Sequence, residues 1–198
     1  MSTVDFEKDF ETVKILVGSD TETGRTDAFI VAYTKTEKQV RRIFTNLVYQ
    51  FPAFDLSHYE EIVSVIASKR LLYFENFVHG FDTIYPKSFR VIVGEPIYIQ
   101  FLNTDFVRIK KYRNKILHGQ PTGEQLSSDD LNCEITIMRE WCSKVAESMN
   151  KEIGFDGFQR NSFRKNANKN LAANYKVKIT DLTSLDTFIE NNMNKRLG

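Results

Sequence analysis

Residues 98–121 read YIQFLNTDFVRIKKYRNKILHGQP. Tyr98, Leu102, Phe106, Ile109 and Ile116 recur at steps of four, three and seven residues, the pattern of a helix with one apolar face. Gly119 and Pro121 stand where such a helix ends, glycine as a left-handed cap and proline just beyond it. The stretch predicts one long helix from about Tyr98 to His118. The seven-residue gap in its apolar seam is completed by position 113, which holds Arg113. A charge on a core-facing seam is costly unless it is paired or lines a cleft or an interface. Lys111, Asn114, Lys115 and His118 share the opposite surface at three- and four-residue steps.

Outward from this helix, three more helical patterns follow. Phe29, Tyr33, Val40, Phe44, Leu47 and Phe51 define one between Asp27 and Phe51, and Pro52 stops it. Ser57 to Glu60 reads as a capping box opening the next, which carries Tyr59, Ile62, Val63, Ile66, Tyr73 and Phe77 to near Gly80. Residues 82–96 form a connector with Pro86, Gly94 and Pro96. The last helix runs from about Asp129 to Lys151, capped by Ser128, with Ile135, Met138, Cys142, Val145 and Met149 as its apolar stripe. Four helices of roughly 20 residues with mostly short connections predict an all-α, four-helix up-and-down bundle.

The bundle occupies residues 27–152, between an N-terminal extension of 1–26 and a C-terminal extension of 153–198. In the first, Thr21 to Gly24 reads as a turn, and Val13 to Val17 fits a strand or part of a small helix equally. The second is basic: residues 151–198 carry nine Lys or Arg and five Asp or Glu. Tyr175, Val177 and Ile179 alternate as in a short strand, and Asp181 to Asn194 suits a small helix.

Composition bounds the function. A chain of 198 residues can bury one full core and has no room for two large domains. With 27 Lys or Arg against 26 Asp or Glu, global charge announces no nucleic-acid partner, although local charge can. No segment reaches the roughly 18 apolar residues that a membrane span requires. Asp5, Glu7, Asp9 and Glu11 give the start the wrong chemistry for a signal peptide, so a cytoplasmic protein without a membrane partner is expected. Cys133 and Cys142 stand about 13 Å apart along one helix, too far for a disulfide. No companion His cluster suggests a metal site, and no cofactor is expected.

Arg113, Asn114 and His118 are a sufficient kit for metal-free RNA cleavage. A His moves protons near neutral pH. An Arg fork holds a phosphate and stabilises charge building on it. An Asn fixes either group by hydrogen bonds. Arg108, Lys110, Lys111 and Lys115 could track an RNA backbone, and Tyr112 could stack on a base. Arg160, Arg164 and Lys165 form a second basic patch. Each has a plainer reading: solvated lysines, a core tyrosine, a flexible basic tail. For Arg113 the plain reading is an ion pair with Glu75 or Glu140, and for His118 a contact with the negative end of the helix dipole.

Arg113-Asn114-Lys115-Ile116-Leu117-His118, at the end of a long helix in a four-helix bundle, resembles the Arg–polar–x3–His signature of HEPN-domain proteins. The resemblance covers residues 27–152 and carries over to Arg113, Asn114 and His118. It implies a homodimer in which two copies of the motif face each other and form one composite ribonuclease site. It also implies a toxin or phage-defence effector cutting tRNA or mRNA by 2′-hydroxyl attack, with an antitoxin or nucleotidyltransferase-like partner. Two further readings stay open: a non-catalytic HEPN-like module that binds nucleic acid, nucleotide or a partner protein, and a helical adaptor.

Overall fold

The computed structural model describes residues 4–69, 72–119, 127–158, 165 and 170–193. These residues are all-helical apart from turns and coil, and no strand occurs among them. Helix α2, Glu22–Tyr49, is the axis of the molecule. Thr21 opens it by accepting the Gly24 N–H on its hydroxyl at 2.9 Å. Phe29, Tyr33, Val40, Phe44 and Leu47 are buried as their spacing requires, and every residue from Ile43 to Tyr49 is buried. A helix buried all round must be enclosed by other elements. It touches α1 (Val4–Gly18), α3 (Tyr59–Ser68), α4 (Phe74–Ile84), α7 (Phe106–Leu117) and α8 (Ser128–Ile153).

The N-terminal segment is helix rather than strand. Phe6, Phe10 and Val13 of α1 are buried, and Phe6 packs edge-on against Phe158 with ring centroids 5.5 Å apart. The helix expected from Ser57 to Gly80 is broken into α3 and α4. Asn76 explains the break. Its side chain is buried and needs partners. Its Oδ1 accepts the Tyr73 N–H at 2.9 Å, which starts α4, and its Nδ2 donates to the Met193 carbonyl at 2.5 Å. The cap before α3 also differs from expectation. Asp55, not Ser57, is the capping residue: its carboxylate accepts the Ser57 N–H, and it caps a single tight turn, Leu56–His58, ahead of α3.

The connector holds a short helix, α5 (Phe89–Val93), and runs into α6 (Glu95–Gln100). Between α6 and α7 lies one π-helical turn, Phe101–Asp105, in which the Phe106 N–H bonds the Phe101 carbonyl. The extra residue rotates the helix face. Phe101, Phe106, Ile109 and Tyr112 are therefore the buried row, while Tyr98, Leu102 and Ile116 are only partly covered. The Phe101 ring stacks on Trp141 of α8 at 4.1 Å. Helix α8 begins one residue earlier than expected, with Ser127 as cap, and ends at Gly154 in the left-handed conformation (φ 76°). Its stripe from Ile135 to Met149 is buried as predicted.

Tyr175, Val177 and Ile179 do not form a strand. The segment is coil, tied down by the Tyr175 hydroxyl donating to the Leu47 carbonyl at 3.1 Å and the Lys176 N–H to the Ile84 carbonyl at 2.9 Å. The small helix beyond it is present as α9 (Leu182–Asn192), lying against α3 and α4 with Leu185 and Ile189 fully buried. Among the described residues no helix is long and apolar enough to cross a membrane.

Candidate functional site

The last two turns of α7 and its closing residue carry Arg113, Asn114 and His118. Arg113 is half-buried, and Asn114 and His118 are exposed. His118 closes α7, its N–H reaching the Asn114 carbonyl, and Gly119 follows at φ 59°. The predicted glycine cap is thus observed; Pro121 lies outside the described residues. Among the described residues, no side-chain hydrogen bond or ion pair engages His118.

The π turn settles how Arg113 sits. With Tyr112 rotated into the core, Arg113 moves to the edge of the seam and leans on α2. Its Cζ lies 5.2 Å from the Tyr33 ring centroid, and its Nη1 donates to Asn114 Oδ1 at 2.9 Å. The Tyr33 ring in turn stacks on Phe106 at 5.8 Å. A guanidinium over an aromatic face gains roughly 0.5–2 kcal/mol and loses rotational freedom. Neither acid expected to pair with Arg113 does so: Glu75 pairs with Lys110, and Glu140 is exposed.

The acid that faces Arg113 is Glu37, one turn beyond Tyr33 on α2. The Tyr33 hydroxyl donates to Glu37 Oε1 at 3.0 Å. Burial raises the Glu37 carboxyl above the ordinary carboxylate range, opposed by the Tyr33 hydrogen bond and by the charges of Arg113 and Arg41. Burial, then the Glu37 charge, pushes the Tyr33 phenol far above its usual range, so Tyr33 remains a proton donor. Composition gave Glu37 no prominence. Its signal was positional: it fills the seven-residue gap between Tyr33 and Val40, as Arg113 fills the gap between Ile109 and Ile116.

The proposed basic track divides. Lys111 is exposed beside Asn114. Arg108 is bound to Glu134 and to Asp105, and Lys110 is bound to Glu75 and lies over the Phe106 ring. Lys115 is half-buried. Tyr112 is 8% exposed and packs in the core, so its ring offers no face to a base. In the second patch, Arg160 and Arg164 lie outside the described residues. Lys165 is committed to the fold: its Nζ donates to the Tyr49 and Phe51 carbonyls at 2.5 Å each, across the end of α2. Burial lowers its pKa from the ordinary lysine value.

Compared with known protein families, curated proteins and solved structures, the chain matches none.

Proposed function

We propose that this protein is a metal-independent endoribonuclease of the HEPN type, with a composite site formed by two copies of the chain. The observation that carries the reading is the end of α7. A guanidinium braced by Tyr33 and Asn114 stands within two turns of an exposed histidine. In this reading α2, α3 with α4, α6 with α7, and α8 are the four helices of a HEPN-like bundle, and α1 and α9 are additions to it. Val107 and Leu117, 54% and 52% exposed, share the outer side of α7 with Asn114 and His118. They offer apolar surface that a second copy would cover.

In the reaction, the ribose 2′-oxygen attacks the adjacent phosphorus and loses its proton. The bond from phosphorus to the 5′-oxygen breaks, and that oxygen gains a proton. The products are a 2′,3′-cyclic phosphate and a 5′-hydroxyl. His118 transfers a proton. Arg113 holds the phosphate and stabilises its added negative charge. Asn114 keeps the guanidinium aimed. Lys111, exposed on α7, is the cation that would meet a flanking phosphate. The biological reading is a cytoplasmic toxin or phage-defence effector acting on tRNA or mRNA, held in check by an antitoxin or nucleotidyltransferase-like partner.

The commitment of Arg108 and Lys110 to carboxylates favours a second reading, a HEPN-like module that binds without cutting. Incubating the protein and its His118→Ala variant with total tRNA and with mRNA, in EDTA, separates the two. Cleavage by the wild type alone supports the enzyme. Binding without cleavage by either supports the module.

A further inference from the structure

Arg113 and Glu37 are two charges placed in the apolar seams of two helices that pack on each other, α7 and α2. Burying one charge in a seam is unfavourable; two opposite charges that meet there offset each other. Yet the pair forms no direct salt bridge: Arg113 Nη1 is bonded to Asn114, and the Glu37 carboxylate to the Tyr33 hydroxyl. The Tyr33 ring lies beneath the guanidinium, and its hydroxyl is fixed by Glu37. Ring and amide therefore hold the guanidinium without occupying its whole fork, and the Glu37 charge acts on it from behind the ring's hydroxyl. That leaves donors for an anion and restricts where they point.

We propose that Glu37, acting through Tyr33 and Arg113, is a positioning residue of the ribonuclease site, orienting the Arg113 guanidinium for the scissile phosphate. This rests on the ribonuclease reading above. The ionised carboxylate does two things. It attracts the guanidinium and keeps it on the Tyr33 ring. It also fixes the Tyr33 phenol and with it the ring plane. A neutral side chain of the same shape would keep the packing and lose the attraction. The charged or titratable groups facing Glu37 are Tyr33 and Arg41 on its own helix, Arg113 on α7 and Glu75 on α4. Glu75 is engaged by Lys110, and the Arg41 guanidinium lies 5.2 Å from the Phe77 ring centroid. Arg113 is the one cation among them contributed by the proposed catalytic motif.

Glu37→Gln tests the charge and Tyr33→Phe tests the hydroxyl while keeping the ring. Cleavage is measured from about pH 5 to 8, and the Arg113 Nε–Hε resonance is followed by NMR in the absence of RNA. Near pH 8, Glu37→Gln is expected to lower kcat about tenfold with KM changed less than about twofold, the pattern of a misaimed group. The ratio of wild-type to variant rates should fall toward one as Glu37 protonates in the wild type. Tyr33→Phe is expected to cost about threefold. The Arg113 resonance should be that of an ordered side chain in the wild type and of a mobile one in Glu37→Gln. Equal rates, or a ratio constant with pH, would overturn the proposal. If the wild type cuts no RNA, the ribonuclease reading fails on its own. The Arg113 resonance then decides whether Glu37 orders the guanidinium, and an unchanged signal overturns that claim too.

Discussion

Glu134 of α8, its side chain 5% exposed, grips the guanidinium of Arg108 on α7 through Nε and Nη2. The pair joins the helix that bears the candidate site to the longest helix packed on α2. Removing Arg108 would leave a buried carboxylate without its cation. Arg108 is itself 35% exposed, so water would relieve part of the cost. Arg108→Ala is expected to destabilise the fold by about 2–3 kcal/mol, below the usual cost of breaking a fully buried pair. Lys111→Ala, on the exposed side, should stay within about 0.5 kcal/mol. Urea unfolding of both variants checks this, and equal midpoints would contradict it.

The two cysteines should differ sharply in reactivity. Cys133 is exposed and Cys142 is fully buried. Burial pushes the Cys142 thiol up to about 12, only partly offset by its hydrogen bond with Thr36. A thiol reagent at pH 8 should label one sulfur in the native protein and two in denaturant. Two fast-reacting thiols in the native state would show that the α2–α8 interface opens.

Asp55 sets a pH dependence. The Ser57 hydroxyl, then the His58 ring, then the Ser57 N–H hold its carboxyl at about 2, against an ordinary 3.8. A depressed carboxyl contributes stability that is present above its unfolded pKa and lost as pH falls through the folded one. The loss therefore lies between pH 3.8 and about 2. Asp55→Ala should flatten the acid decline of stability in that window. Thermal melts across the range read this directly.

Gly80 is where α4 meets the end of α9. A Cβ there would stand 2.7 Å from Met193 Sδ and 2.8 Å from Phe44 Cε2. The methionine can move aside, but the ring is fixed in the core. Gly80→Ala should destabilise by about 1–3 kcal/mol as an overpacked site. Amide exchange should quicken in α9 before α8. Uniform exchange across both helices would contradict the local account.

Much of this architecture was legible. The Phe29-to-Leu47 and Ile135-to-Met149 patterns place α2 and α8 because those helices bury a continuous face. What escaped the pattern turned on single residues with tertiary partners. Asn76 splits the second helix because it reaches Met193, 117 residues away. The π turn at Phe101–Asp105 moves Tyr112 inward and Arg113 to the seam's edge, and no period of three or four residues foretells an inserted residue. Tyr175 to Ile179 alternates like a strand, but no neighbouring strand exists among the described residues for it to pair with. At the site, Arg113, Asn114 and His118 were readable as a group on one helix. Glu37 was not, because its meaning depends on which helix lies opposite.

The most direct test of the central claim is the end group left on RNA incubated with the protein in EDTA, with His118→Ala as control. The account predicts 2′,3′-cyclic phosphate and 5′-hydroxyl ends from the wild type and intact RNA from the variant. Cleavage at wild-type rate by His118→Ala, or 5′-phosphate ends, would contradict it.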